Sequence, residues 1–177
     1  MRDKLTVVQT YKRYLDKINW CEPSEVPTNF GKMIDFLYKE TAKEDSELRF
    51  ALIEDCVFET LKVVNRKNIR LKELSEDWDT SAIEELWHLQ ANADTYWKIG
   101  DTNSYKITFN KIRTLIGDTE DNALKLYLYL NNSKSNDGKD FYRSYHKIAK
   151  KLIAEIENEA LKTPDPSEVE EAEAPNP

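Results

Sequence analysis

Residues 48–64 read LRFALIEDCVFETLKVV. Apolar side chains cover more than half of a helical circumference here. That is too wide for a surface helix, so the stretch predicts a helix at the centre of a bundle, from about Ser46 to Asn65. Upstream, residues 3–18 place Leu5, Val8, Tyr11, Leu15 and Ile18 at three- and four-residue intervals, the signature of an amphipathic helix. The two prolines of NWCEPSEVPT end it. A second helix is predicted over about 28–42, with Met33, Ile34, Leu37 and Tyr38 facing inward.

Downstream, NRKNIRLKELSEDWD (65–79) reads either as an extension of the central helix or as a short connector. Ser81-x-x-Glu84 is a capping box and opens a helix that buries Ile83, Leu86 or Trp87, Gln90, Ala93 and Trp97. Gly100 stands where that helix should stop. Asp101 or Thr102 caps the next helix, which is expected to end at Gly117. Asp118 or Thr119 caps another, containing ALKLYLYL (123–130). The polar NNSKSNDG (131–138) reads as a loop before a last helix over about 139–162. Only four glycines occur, which argues against an all-β fold with many tight turns. The expectation is an all-α fold: a single bundle-like domain of about six or seven helices over 1–162, followed by a disordered acidic tail, 163–177. That tail carries four prolines and alternates acids with small residues, and cannot bury enough apolar surface to offset its ordering entropy.

Charged residues make up 33% of the chain and the net charge is -7. Five acids, Asp165, Glu168, Glu170, Glu171 and Glu173, lie in the tail. Removing them from the 33 acids leaves 28 against 26 bases, so the body is nearly neutral and can carry basic patches. The first residues hold charges where a signal peptide needs an apolar core, and no apolar run is long enough to span a membrane. Cys21 and Cys56 form no paired motif. Together these features point to a reducing compartment: cytoplasmic, or within a particle assembled inside a cell.

Catalytic and metal signals are sparse. In EELWHLQANAD (84–94), Glu85-x-x-His88 puts a carboxylate and an imidazole on one helix face, as di-iron bundles do. Such a site needs a second copy. The only other histidine is His146, and Arg143 stands three residues before it. His88 is therefore expected to be a hydrogen-bonded structural histidine. A zinc site from Cys21, Cys56, His88 and His146 would have to converge from four separate segments. Cys56 reads better as a small apolar filler of the central helix. There is no G-x-S-x-G elbow and no Gly-rich phosphate loop. No cofactor and no catalytic residue are expected.

Two surfaces remain. Asn103, Lys106, Asn110 and Arg113 share a polar stripe opposite Tyr105, Phe109, Ile112 and Ile116. Together with the preceding helix and the Gly100 turn, this gives a helix-turn-helix-like layout over 84–116 that could read duplex DNA. Basic runs at Lys62, Arg66, Lys67 and Arg70, with Lys72, and at Lys139, Arg143, Lys147 and Lys150 could neutralise phosphates or receive an acidic segment. The second run is expected opposite an apolar stripe of Phe141, Tyr145, Ile148 and Leu152, with His146 beside it.

The 13 tyrosines and tryptophans are many for this length. Tyr11, Tyr14, Trp78, Tyr127 and Tyr129 are not expected all to be buried, and such aromatics favour protein interfaces. LKLYLYL is apolar almost all round, so that helix is either central or covered by a partner. In gross layout the chain is similar to small helical structural or connector subunits of tailed phages, a likeness of layout alone. The expected role is a non-catalytic interaction or assembly subunit with protein partners, homo-oligomeric and without membrane contact. A nucleic-acid-binding regulator is the alternative.

Overall fold

The structure, a computed structural model, describes residues 3–41, 43–134 and 136–162. The fold is all-α. Among the described residues eight α-helices follow in order: α1 (Lys4–Trp20), α2 (Val26–Glu40), α3 (Ser46–Arg66), the single turn α4 (Leu71–Leu74), α5 (Thr80–Ile99), α6 (Thr102–Asp118), α7 (Asn122–Lys134) and α8 (Asn136–Lys162). The eighth element beyond the expected seven is α4, inside the segment that read as a possible connector. The expected tail, 163–177, lies outside the described residues. No described helix is long and apolar enough to cross a membrane.

The wide apolar face of α3 places it at the centre. Ala51 to Val57 are all buried, and α1, α2, α7 and α8 pack around it. One core cluster gathers Val7, Tyr11 and Ile18 of α1, Phe30, Met33 and Leu37 of α2, and Leu52, Cys56 and Val57 of α3. A second, smaller cluster joins Ile83, Leu86 and Ala93 of α5 to Ile112 and Ile116 of α6. The all-round apolar α7 joins the two. Leu126 belongs to the first cluster, Leu124 and Leu128 to the second, and Tyr127 and Tyr129 touch both. It needs no partner chain to cover it. Where α7 meets α2, Gly31 leaves room for the Asn122 side chain, whose amide a Cβ at that position would overlap.

Local signals set most boundaries, with four corrections. Gly100 adopts the left-handed conformation, φ 77°, and ends α5, as expected. Asp101 caps α6 by accepting from the Ser104 amide. By contrast, α5 is capped by Asp79, which accepts from both the amide and the hydroxyl of Ser81. The Ser81 hydroxyl is thus a donor to the cap rather than the cap itself. Gly117 lies inside the last turn of α6. The cap of α7 is Asp121 rather than Asp118 or Thr119: its Oδ1 accepts from the Leu124 amide at 2.9 Å. The supposed loop 131–138 is largely helical. Asn131 and Ser133 donate back to the Tyr127 and Leu130 carbonyls and Asn132 is buried, so polar side chains are absorbed by the helix itself.

Asp121 also ties the connector down. Its Oδ2 accepts from the Ser75 hydroxyl at 3.0 Å and from the Glu76 and Asp77 amides at 2.9 Å each. Burial raises this carboxyl, but the bonds from Leu124, Asp77, Ser75 and Glu76 outweigh it and hold it below its ordinary value of 3.8. Asp121→Ala should therefore lower stability by about 2–3 kcal/mol. A depressed carboxyl stabilises the fold above its unfolded value and loses that effect as pH falls through the folded one. The difference between the variant and the parent, followed by denaturant unfolding, should be full at neutral pH and should shrink below about pH 4.

Candidate functional site

The central helix carries two adjacent buried acids, Glu54 and Asp55. Consecutive helical positions point about 100° apart, so the two meet different neighbours.

Glu54 faces α6. Arg113 Nη2 donates to Glu54 Oε1 at 2.6 Å. The guanidinium lies over two rings, 4.1 Å from the Phe50 centroid and 5.0 Å from that of Phe141. Burial raises the Glu54 carboxyl, and the charge and hydrogen bond of Arg113 oppose that rise. One oxygen, Glu54 Oε2, and one nitrogen, Arg113 Nη1, are buried without a protein partner. Both residues line a cavity of about 50 Å³ walled by Tyr38, Phe109, Tyr129 and Tyr142, which has room for a water that could bridge them.

Asp55 faces α1 and α8. The fully buried Tyr11 donates its hydroxyl to Asp55 Oδ2 at 2.6 Å, and His146 Nδ1 lies 2.5 Å from Asp55 Oδ1. Burial raises Asp55, while the bonds from Tyr11 and His146 pull it down. Glu59, one turn along α3, brings its Oε1 to 3.5 Å from the same histidine nitrogen. Phe58 packs on the imidazole with ring centroids 4.5 Å apart. Asp55, Glu59 and His146 hold their ligand atoms within 4.8 Å of one another, the only such group of metal-capable side chains among the described residues. Sequence reasoning missed this trio. The buried line of α8 is centred on Tyr142 and Ala149 and flanked by Tyr145, Leu152, Ile153 and Ile156, while Ile148 reaches the surface. The expected stripe was one residue out of register, and the true one turns His146 inward.

The sequence-derived surfaces fare unequally. Asn103, Lys106 and Asn110 are exposed, but Arg113 is withdrawn into its pair with Glu54. Helices α5 and α6 run antiparallel along their whole length. At the far end from Gly100, Ala82 and Glu85 still line a cleft with Leu115 and Asp118. A helix-turn-helix pair crosses at about 90–120° and parts after the turn, so the layout over 84–116 is a hairpin instead. Glu85 and His88, the latter expected as a hydrogen-bonded structural histidine, both stand exposed.

Tyr11 is wholly internal. Tyr14 packs on Phe36, Trp78 on Tyr127, and Tyr129 on Phe30 and Tyr142. Their aromatic faces are therefore taken up within the chain. Of the first basic run, Arg66 donates to Asn19, Lys67 to the Cys21 carbonyl and Arg70 to Glu73. Lys62 pairs with Glu59 and lies over Phe58. It also joins Lys139 and Arg143 of α8 around a cleft of about 200 Å³, floored by Phe58, Leu61 and Tyr142. Lys147 and Lys150 continue that exposed face of α8.

A further exposed surface is one the sequence did not rank. Eight large apolar side chains are exposed among the described residues, and half of them stand on the α5–α6 hairpin: Trp87, Trp97, Ile99 and Ile107. Trp97 and Ile99, at 61% and 69% exposure, sit in the last turn before Gly100, with the Tyr105 ring 5.2 Å from that of Trp97. On the hairpin flank, Leu89, Ile107 and Leu115 line a shallow cleft of about 500 Å³ edged by Glu85, Asn110 and Lys111.

Removing one partner of the buried pair leaves the other charge unpaired. Arg113→Met should cost about 3–5 kcal/mol in urea unfolding, whereas Glu54→Leu combined with Arg113→Met should recover most of that loss. A double variant that loses the sum of the Arg113→Met and Glu54→Leu single losses would mean that the pair carries no coupling. No family model matches this chain, and neither a curated protein nor a solved structure matches it.

Proposed function

We propose that the protein is a non-catalytic interaction or assembly subunit whose contact surface is the α5–α6 hairpin. The observation that supports this reading is that half of the exposed large apolar side chains among the described residues stand on this one hairpin. Trp97 and Ile99 at a protruding turn resemble the anchors that fill partner pockets, because indole burial contributes much to binding at little entropic cost. A hairpin attached to the body chiefly through α7 presents both of its outer flanks, so a second copy or another helical protein can pack along it.

Light-scattering mass across a gel-filtration peak tests this reading directly. The parent chain should run as a multiple of 20.8 kDa, and Trp97→Ser with Ile99→Ser should shift it towards the monomer. Because both side chains are exposed, the thermal midpoint of the variant should stay close to that of the parent. A parent that remains monomeric at every concentration reached, or an assembly that ignores the two substitutions, would count against self-association through the hairpin.

One observation favours a second reading. Lys62 and the pair Lys139 and Arg143, far apart in sequence, converge on one cleft with Lys147 and Lys150 beyond. Such a face can neutralise a nucleic-acid backbone. That reading expects duplex binding that weakens steeply with salt and is lost in Lys62→Glu with Arg143→Glu. Absence of binding at low salt removes it.

A further inference from the structure

The trio on the other side of α3 goes beyond any contact surface. We propose that Asp55, Glu59 and His146 form a site for a divalent transition ion of the zinc class, with three protein ligands and a fourth position open to water. The chemistry of the donor set fits. One imidazole and two carboxylates supply a borderline nitrogen and two oxygens, and their two negative charges balance the ion.

The arrangement fits too. Asp55 and Glu59 are one turn apart and share a face of α3, and His146 approaches from α8, so two packed helices hold the ligands. At zinc the ligand bonds are about 2.0–2.2 Å, which places neighbouring ligand atoms roughly 3.3 Å apart in a tetrahedron. His146 Nδ1 and Glu59 Oε1 are already 3.5 Å apart. The Asp55 Oδ1 to His146 Nδ1 contact of 2.5 Å must open by roughly 0.8 Å, a change within reach of side-chain rotation.

The surroundings orient the ligands before an ion arrives. Tyr11 donates to the far oxygen of Asp55, leaving Oδ1 to face the centre, and the Phe58 ring fixes the imidazole plane. Such outer contacts accompany most protein metal ligands. Access remains, because the His146 and Glu59 side chains keep 16% and 28% exposure. Lys62 is the competing cation, with its Nζ 3.2 Å from Glu59 Oε1. It is itself half exposed and can swing out as the ion enters.

Cobalt(II) is the probe, since its visible bands report coordination directly. The full chain, stripped by chelator, should develop intense ligand-field bands saturating at one equivalent, and Zn²⁺ should abolish them. His146→Gln and Glu59→Gln should each remove the bands. Tyr11→Phe should weaken affinity by roughly tenfold without removing them. His88→Gln should change nothing, which separates this site from the exposed Glu85-x-x-His88 pair. Glu59 is partly exposed, so its variant keeps the test decisive if His146→Gln fails to fold, with helical circular dichroism checked for each. A parent without bands overturns the proposal. So do bands that survive in folded Glu59→Gln, or bands that vanish in His88→Gln; in either case the histidine–carboxylate contact is only an internal hydrogen bond.

Discussion

An ionised carboxylate inside a protein must find a partner, and α3 places two of them side by side. Apolar packing alone leaves the relative register of helices loosely fixed, because it is non-directional. The acids remove that freedom. Glu54 accepts only an α6 that presents Arg113, and Asp55 only an α8 that presents His146 with Tyr11 of α1 on the other oxygen. A slide of α6 by one turn would bring Phe109 or Gly117 opposite Glu54. The same slide of α8 would bring Tyr142 or Lys150 opposite Asp55. Neither Phe109 nor Gly117 has a side-chain donor for Glu54, and a buried carboxylate left unpaired costs several kcal/mol. The central helix thus sets the alignment of α1, α6 and α8 from two consecutive positions.

The same logic explains why α7 is apolar all round. It fills the seam between a core organised by α3 and a second organised by α5 and α6, and contributes alternate leucines to each. Its tyrosines sit at the seam, where a ring packs in either direction. A sequence that looks as though it awaits a partner is satisfied inside one chain.

Much of the architecture was legible because it depends on neighbours in sequence. The central position of α3 follows from its apolar circumference, and the α5–α6 turn follows from Gly100 and Asp101. The buried polar groups were not legible. Arg113 sits in a polar stripe indistinguishable from a solvated face, and its partner Glu54 is 59 residues away. His146 was hidden by a register ambiguity: Phe141 and Tyr145 suit the edge of a buried face as well as its middle, and their weight pulled the expected stripe by one residue. At the start of α5, Asp79 and Ser81 are both good caps, and only the backbone geometry between them decides which one accepts. The exposed hairpin residues escaped notice because Trp87 and Trp97 look, in sequence, like core residues of an amphipathic helix. A second core too narrow to reach them leaves them outside.

Rings run from the interior to that hairpin without a break: Tyr145 on Phe50, Phe50 on Phe141, Phe141 on Phe109, Phe109 on Tyr105, and Tyr105 on Trp97. All four tryptophans lie at or near the surface, whereas Tyr11 and Tyr142 are enclosed. The optical consequence inverts the usual one. Indole emission in the native state already reports a largely aqueous environment, so it is a poor gauge of unfolding and a sensitive one of anything that covers α5. Tyrosine excitation passes through space to nearby indoles, so Trp97, 5.2 Å from Tyr105, and Trp78, 4.7 Å from Tyr127, report on the rings beside them.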